Sequence, residues 1–215
     1  MSKIELLIVQ IPIVILAITI HEFSHAFVAY KLGDDTAKRV GRLSLNPIKH
    51  LDILGAIMLL VVRIGWAKPV PINPYNFNNM KIGTALTAAA GPASNFIIAI
   101  LAAILFNTGV QVFQSVPVYF SYSFQILLLA LRFAVMINIA LGLFNLIPIP
   151  PLDGSKIIGG FMPDDMFFKW SSFERKGAIF LMIFFAVNYV FRLGLLEKLI
   201  YTPLDIITKW LIYIP

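Results

Sequence analysis

The residues best equipped for chemistry lie in one stretch, His21-Glu22-Phe23-Ser24-His25. On a helix His21 and His25 are four positions apart, so both imidazoles project from one face about one turn apart. That spacing lets two ring nitrogens hold one zinc ion, with the Glu22 carboxylate beside it as a general base. The stretch ends an apolar run that begins at Leu6 and is interrupted only by Gln10 and Thr19. Ionisable groups in such surroundings are costly and are functional by default. A catalytic zinc usually takes three protein ligands and keeps a fourth position for water, so a third group must come from elsewhere. His50 lies in a basic loop and reads as a surface hydrogen-bonding or capping group. Asp52 precedes an apolar segment and reads as an N-cap. Asp153 follows backbone broken by Pro148, Pro150 and Pro151, and irregular backbone at membrane depth is tolerated only where it lines a protein cavity. Asp153 is therefore the best third ligand.

The elements that must position these groups are membrane elements. Of the 215 residues, 59% are hydrophobic and 13% are charged, against roughly 25% charged in a soluble domain. Lys and Arg outnumber Asp and Glu by 17 to 11. The basic residues gather in loops beside apolar segments, as orientation determinants do. No nucleic-acid motif accompanies them, so a lipid bilayer is the expected partner and nucleic acid is not. The absence of cysteine excludes disulfides, thiolate ligands and a cysteine nucleophile.

Apolar spans are expected at about 4–30, 82–106, 122–147 and 177–196, the first read as a retained span rather than a signal peptide. Residues 53–67 are about fifteen long, below the roughly twenty needed to cross, and contain Arg63. Read as a re-entrant segment, they leave 31–81 and 148–176, both basic, on the cytoplasmic side and the charge-free 107–121 loop outside. This topology brings Asp153 to the same depth as the histidine pair, at the cytoplasmic end of its own span. Val40-Gly41-Arg42-Leu43-Ser44-Leu45 roughly alternates apolar and polar, like a short surface strand. Residues 197–215 read as an interfacial helix. The expected fold is an all-α, multi-pass cell-membrane protein. It has about four to five transmembrane helices, a re-entrant or membrane-associated segment and short surface β-strands.

With these residues assembled, the chain resembles the site-2 protease family of intramembrane zinc metalloproteases, in its minimal form. The resemblance is carried by His21-Glu22-Phe23-Ser24-His25 and by Asn145-Leu146-Ile147-Pro148-Ile149-Pro150-Pro151-Leu152-Asp153-Gly154. Gly91-Pro92-Ala93-Ser94-Asn95 adds to it. It implies one Zn2+ held by His21, His25 and Asp153, with Glu22 as the catalytic base. It also implies an endopeptidase that cuts transmembrane segments of other proteins, in regulated intramembrane proteolysis or membrane-protein turnover. The catalytic core would cover about 4–155 of a single integral-membrane domain at 1–215, with a C-terminal span and tail at about 177–215. The active site would face the cytoplasmic side.

Other polar residues are candidates for supporting roles. Asn145 is a candidate oxyanion or substrate ligand and equally a helix-end cap. Asn95 and Asn138 read chiefly as interhelical hydrogen-bond partners, at roughly 0.6 kcal/mol each, with Asn95 a secondary candidate for substrate binding. Asn73, in the proline-rich 68–75 stretch, is a candidate at the cavity mouth. A helical peptide bond is shielded by its own turn, so a substrate must unwind, and the expected strand at Val40–Leu45 could hold it by β-augmentation. Two other functions fit parts of the pattern. A metal transporter predicts inverted repeats, which the sequence does not show, and gives Glu22 no role. A catalytically silent homologue predicts an incomplete ligand set, and the set here is complete.

Overall fold

The computed structural model describes residues 3–52, 55, 67–113, 121–195 and 197–212. The long helices are α1 (Lys3–Lys31), α3 (Met80–Phe113) and α4 (Ser121–Asn145). Between the first two lie a single turn, α2 (Thr36–Arg39), and two short 3-10 turns at Pro47–Lys49 and Pro74–Asn76. After α4 come α5 (Asp153–Gly159), α6 (Asp164–Ser172), α7 (Glu174–Val190) and α8 (Thr202–Leu211). Among the described residues three helices are long and apolar enough to cross a membrane: Ile4–Lys31, Met80–Phe113 and Tyr122–Asn145.

These helices form because their sequences are almost wholly apolar, and a backbone in lipid must satisfy its own hydrogen bonds. Their outer surfaces carry exposed Leu7, Ile8, Leu16, Ile97, Leu101, Ile104 and Leu127, the pattern of a lipid-facing wall. Helix α3 packs along both α1 and α4 and also contacts α5. Its inner face is built of small residues. Ala99, Ala102 and Ala103 are buried with Phe106 against Val135 and Ile139 of α4, and Leu204 of α8 closes the cluster. Without a hydrophobic drive between helices in lipid, such close approach lets dispersion and buried hydrogen bonds hold the bundle.

A polar collar joins α1 to α3. The buried Asp34 carboxylate accepts hydrogen bonds from the Thr36 hydroxyl and backbone N–H, the Asn73 N–H and the Asn76 amide. Burial alone would raise its pKa, but these donors outweigh burial and hold the carboxyl below its ordinary value. Arg42 reaches the Lys68 carbonyl and the Lys68 N–H donates to the His50 carbonyl at 2.9 Å, so residues 67–73 are drawn back along the end of α1.

Several expectations change here. No sheet strand forms among the described residues; Leu51 and Ala67 make one isolated antiparallel bridge. Residues 40–45 take a turn and bends, not a strand. Val40 and Leu45 point outward while Arg42 is buried, the reverse of a strand with an apolar inner face. The last span is shorter than expected: α7 has 17 residues and gives way to a turn at Arg192 and Gly194 with left-handed backbone. The expected re-entrant segment at 53–67 lies, but for residues 55 and 67, outside the described residues.

Candidate metal centre

The histidine pair sits in the C-terminal part of α1, which the bundle holds rigid. Nε2 of His21 and Nε2 of His25 are 3.0 Å apart, with the rings edge to face at an interplanar angle of 85°. Asp153 is the first residue of α5, and its Oδ2 lies 3.2 Å from each of these nitrogens. Asp153 arrives there because the chain folds sharply after α4. A Cβ on Gly154 would collide with the Leu146 and Ile147 carbonyls, so a glycine is what lets the turn close on the helix end. All three side chains are buried, at 7%, 6% and 8% exposure.

The backs of both rings are committed. His25 Nδ1 is 2.7 Å from the Thr87 carbonyl oxygen, which can only accept, so this nitrogen carries the proton. His21 Nδ1 is 2.6 Å from Oδ1 of Asn95. Asn95 in turn donates from Nδ2 to Oδ1 of Asn138 at 2.9 Å. Both rings therefore turn an Nε2 lone pair toward the other ring and toward a carboxylate oxygen that has no hydrogen-bond donor. Three electron-rich atoms converge on one buried point, and a cation between them would offset the cost of burying them together. Tetrahedral zinc with bonds of about 2.0–2.2 Å sets its ligand atoms roughly 3.3 Å apart, close to the separations found. The residues present fit zinc, and His21, His25 and Asp153 form a group able to hold one ion. Helix α3 must come very close for this: a Cβ on Gly91 would strike both imidazoles.

Glu22 points to another side of α1. Its Oε2 accepts the Val70 N–H at 3.0 Å, so the 67–73 segment steadies the carboxylate. Glu22, both histidines and Asp153 line a cavity of about 740 Å³. Part of its wall is apolar and aromatic, from Tyr75, Phe144, Phe167 and Trp170. Helix α6 supplies part of that wall and is fastened to α3 by Lys81, which pairs with Asp164 at 2.6 Å and donates to the Met162 carbonyl.

The candidate asparagines divide. Asn145 lines the cavity, with Nδ2 on the Leu141 carbonyl of its own helix. Asn95 is fully buried behind His21 and is not part of the cavity lining. Asn73 is also outside the lining: it caps the 3-10 turn at Pro74 by accepting from the Tyr75 N–H. His50 donates from Nε2 to the Ser44 carbonyl of its own loop at 2.7 Å, and so takes no part in the cluster. The Asp52 carboxylate accepts the Gly55 N–H, as a cap does. Sequence reasoning missed the Thr87 carbonyl and the Val70 N–H. Neither has a signal, since every residue offers a carbonyl and all but proline an N–H.

Known proteins resemble this chain in sequence. YwhC of Bacillus subtilis, a candidate zinc metalloprotease, is 40% identical over 175 residues, 80% of this chain and 77% of YwhC. Rip2 of Mycolicibacterium smegmatis, likewise a candidate zinc metalloprotease, is 28% identical over 65% of this chain. The match spans only 52% of Rip2, about half its length. No solved structure matches. A sequence model of Peptidase family M50 matches residues 9–189, and the chain, a membrane protein with a zinc-competent His-His-Asp cluster, belongs to that family.

Proposed function

We propose that this protein is an intramembrane zinc endopeptidase that hydrolyses peptide bonds within transmembrane segments of other membrane proteins. The observation that carries the reading is the meeting of His21 Nε2, His25 Nε2 and Asp153 Oδ2 at 3.0–3.2 Å beside Glu22. Two of those ligands ride on an apolar helix long enough to span a bilayer. When bound, zinc would act as a Lewis acid at the scissile carbonyl and lower the pKa of water to about 7.

The chain's own residues do the rest. His21, His25 and Asp153 hold the ion. Glu22 accepts the proton of the attacking water on its carboxylate and returns it to the leaving amine nitrogen. Asn145 is the candidate asparagine on the cavity wall, and its amide orients the carbonyl of the substrate. The aromatic part of the wall takes the apolar side chains of an unwound transmembrane segment, and residues 67–75 form one lip of the opening. Charge distribution supports a site facing the cytoplasm in a single integral-membrane domain with its core at about 4–155.

The test is cleavage of a panel of single-span substrates by the purified protein, with zinc content measured in parallel. Glu22→Gln should keep the metal and lose cleavage. Cleavage unaffected by that substitution would remove the reading. For orientation, a reporter fused after Asn107 should be extracytoplasmic and one within 156–176 cytoplasmic.

A further inference from the structure

Asn95 and Asn138 are not needed to explain where the ligands stand, yet they are among the most deeply buried polar residues, at 0% and 1% exposure. They link three helices in one directed chain. Asn138 Nδ2 donates to the Ala134 carbonyl at 2.8 Å. That leaves its Oδ1 to accept from Asn95 Nδ2. Asn95 Oδ1 then faces His21 Nδ1 at 2.6 Å.

We propose that Asn95 and Asn138 are positioning residues that transmit the polarity of the Ala134 carbonyl to His21, fixing its tautomer with Nε2 free for the metal. This inference rests on the zinc-peptidase reading. The physical reason lies in the amide group. An amide has a donor end and an acceptor end of nearly the same shape, so packing alone cannot orient it. A flipped Asn95 would present NH2 to His21 Nδ1 and force the ring proton onto Nε2, where it would oppose a metal. A main-chain carbonyl cannot be flipped in this sense, because it only accepts. Ala134 therefore dictates the orientation of Asn138, Asn138 that of Asn95, and Asn95 the proton position on His21. His25 needs no such chain, since it meets the Thr87 carbonyl directly.

The test is a zinc-affinity cycle on the full-length protein in nanodiscs, read by competition with a chelating indicator. Asn95→Ala should weaken zinc binding about 10- to 100-fold, the usual loss for an outer-shell partner. Asn95→Asp should recover part of it, because a carboxylate still accepts from His21 Nδ1 although it has no proton to give the Asn138 oxygen. Asn138→Ala should weaken zinc binding in the native background but cause no further loss in the Asn95→Asp background, where it only removes an opposed oxygen. A purely packing role for Asn138 predicts the same loss in both backgrounds, and that result would overturn the proposal. So would native affinity in Asn95→Ala. A second measurement needs no variant. The chain has 3 histidines, so 15N-histidine labelling of the full-length protein stripped of zinc resolves each ring; neutral His21 should carry its proton at Nδ1, and a neutral ring protonated at Nε2 would refute the relay. If the unaltered protein holds no zinc, the peptidase reading falls and the relay with it; if it holds zinc and the cycle is flat, only the relay falls.

Discussion

The metal cluster is held from two unlike sides. His21 and His25 stand on a 29-residue helix, braced from behind by α3 through the Thr87 carbonyl and Asn95. Asp153 and the Glu22 carboxylate depend on irregular backbone: Asp153 on the turn after α4, Glu22 on a single N–H from the 67–73 segment. The difference teaches that the two halves should fail differently. Damage to the helical side should disturb the bundle and the metal together. Damage to the loop side should disturb chemistry while the bundle survives.

The largest effect should come from removing the loop-side ligand. Asp153→Ala should abolish zinc retention and cleavage while circular dichroism shows the helices intact; zinc at native stoichiometry would break the comparison. Glu22→Gln comes next, with a loss of roughly 10²- to 10⁴-fold in cleavage rate and native zinc content. Gly91→Ala tests the helical side. The added methyl group meets both imidazoles, and overpacking of this kind costs about 1–3 kcal/mol. Zinc affinity and thermal stability should fall together, and a fall in only one would mean that the two sides are not distinguished in this way.

The smallest effect should be at the collar. Asp34→Ala removes the acceptor of four hydrogen bonds, for a loss of about 1–3 kcal/mol near neutral pH. The native Asp34 carboxyl titrates below its ordinary value. Its contribution is therefore complete above the unfolded value of about 3.9 and fades as pH falls through the lower folded value. The stability gap between native protein and Asp34→Ala, followed by denaturation from pH 7 downward, should hold constant to about pH 5 and then shrink.

The same division explains what could be read in advance. The histidine pair was legible because helical periodicity fixes where residues four apart must point. Asp153 was legible because it follows proline-broken backbone at the end of an apolar span, and the structure brings its carboxylate to both rings. The long helices followed from composition, with α3 reaching further than expected, to Phe113. Val40–Leu45 misled because alternation over six residues is a weak signal. Arg42 found a carbonyl to bond and turned inward, with Val40 and Leu45 left outside. Asn95 reads from the sequence chiefly as an interhelical hydrogen-bond partner and the structure pairs it with Asn138, but its second bond, to His21, depends on a register between α1 and α3 that no local pattern encodes. Thr87 and Val70 act through backbone groups, which a sequence cannot distinguish from any others.

The hydrogen bond from Val70 has a stereochemical consequence for Glu22 as the proposed base. A carboxylate in water offers two interchangeable oxygens, and rotation about its last bond swaps them freely. With Oε2 engaged by the Val70 N–H, that symmetry is lost and Oε1 becomes the more basic oxygen, the one that takes up a proton first. Uptake from water and return to the leaving nitrogen would then pass through one atom, so both must lie within its short reach. A substrate bond seated on the wrong side of that oxygen would be spared even when it sits close to the metal.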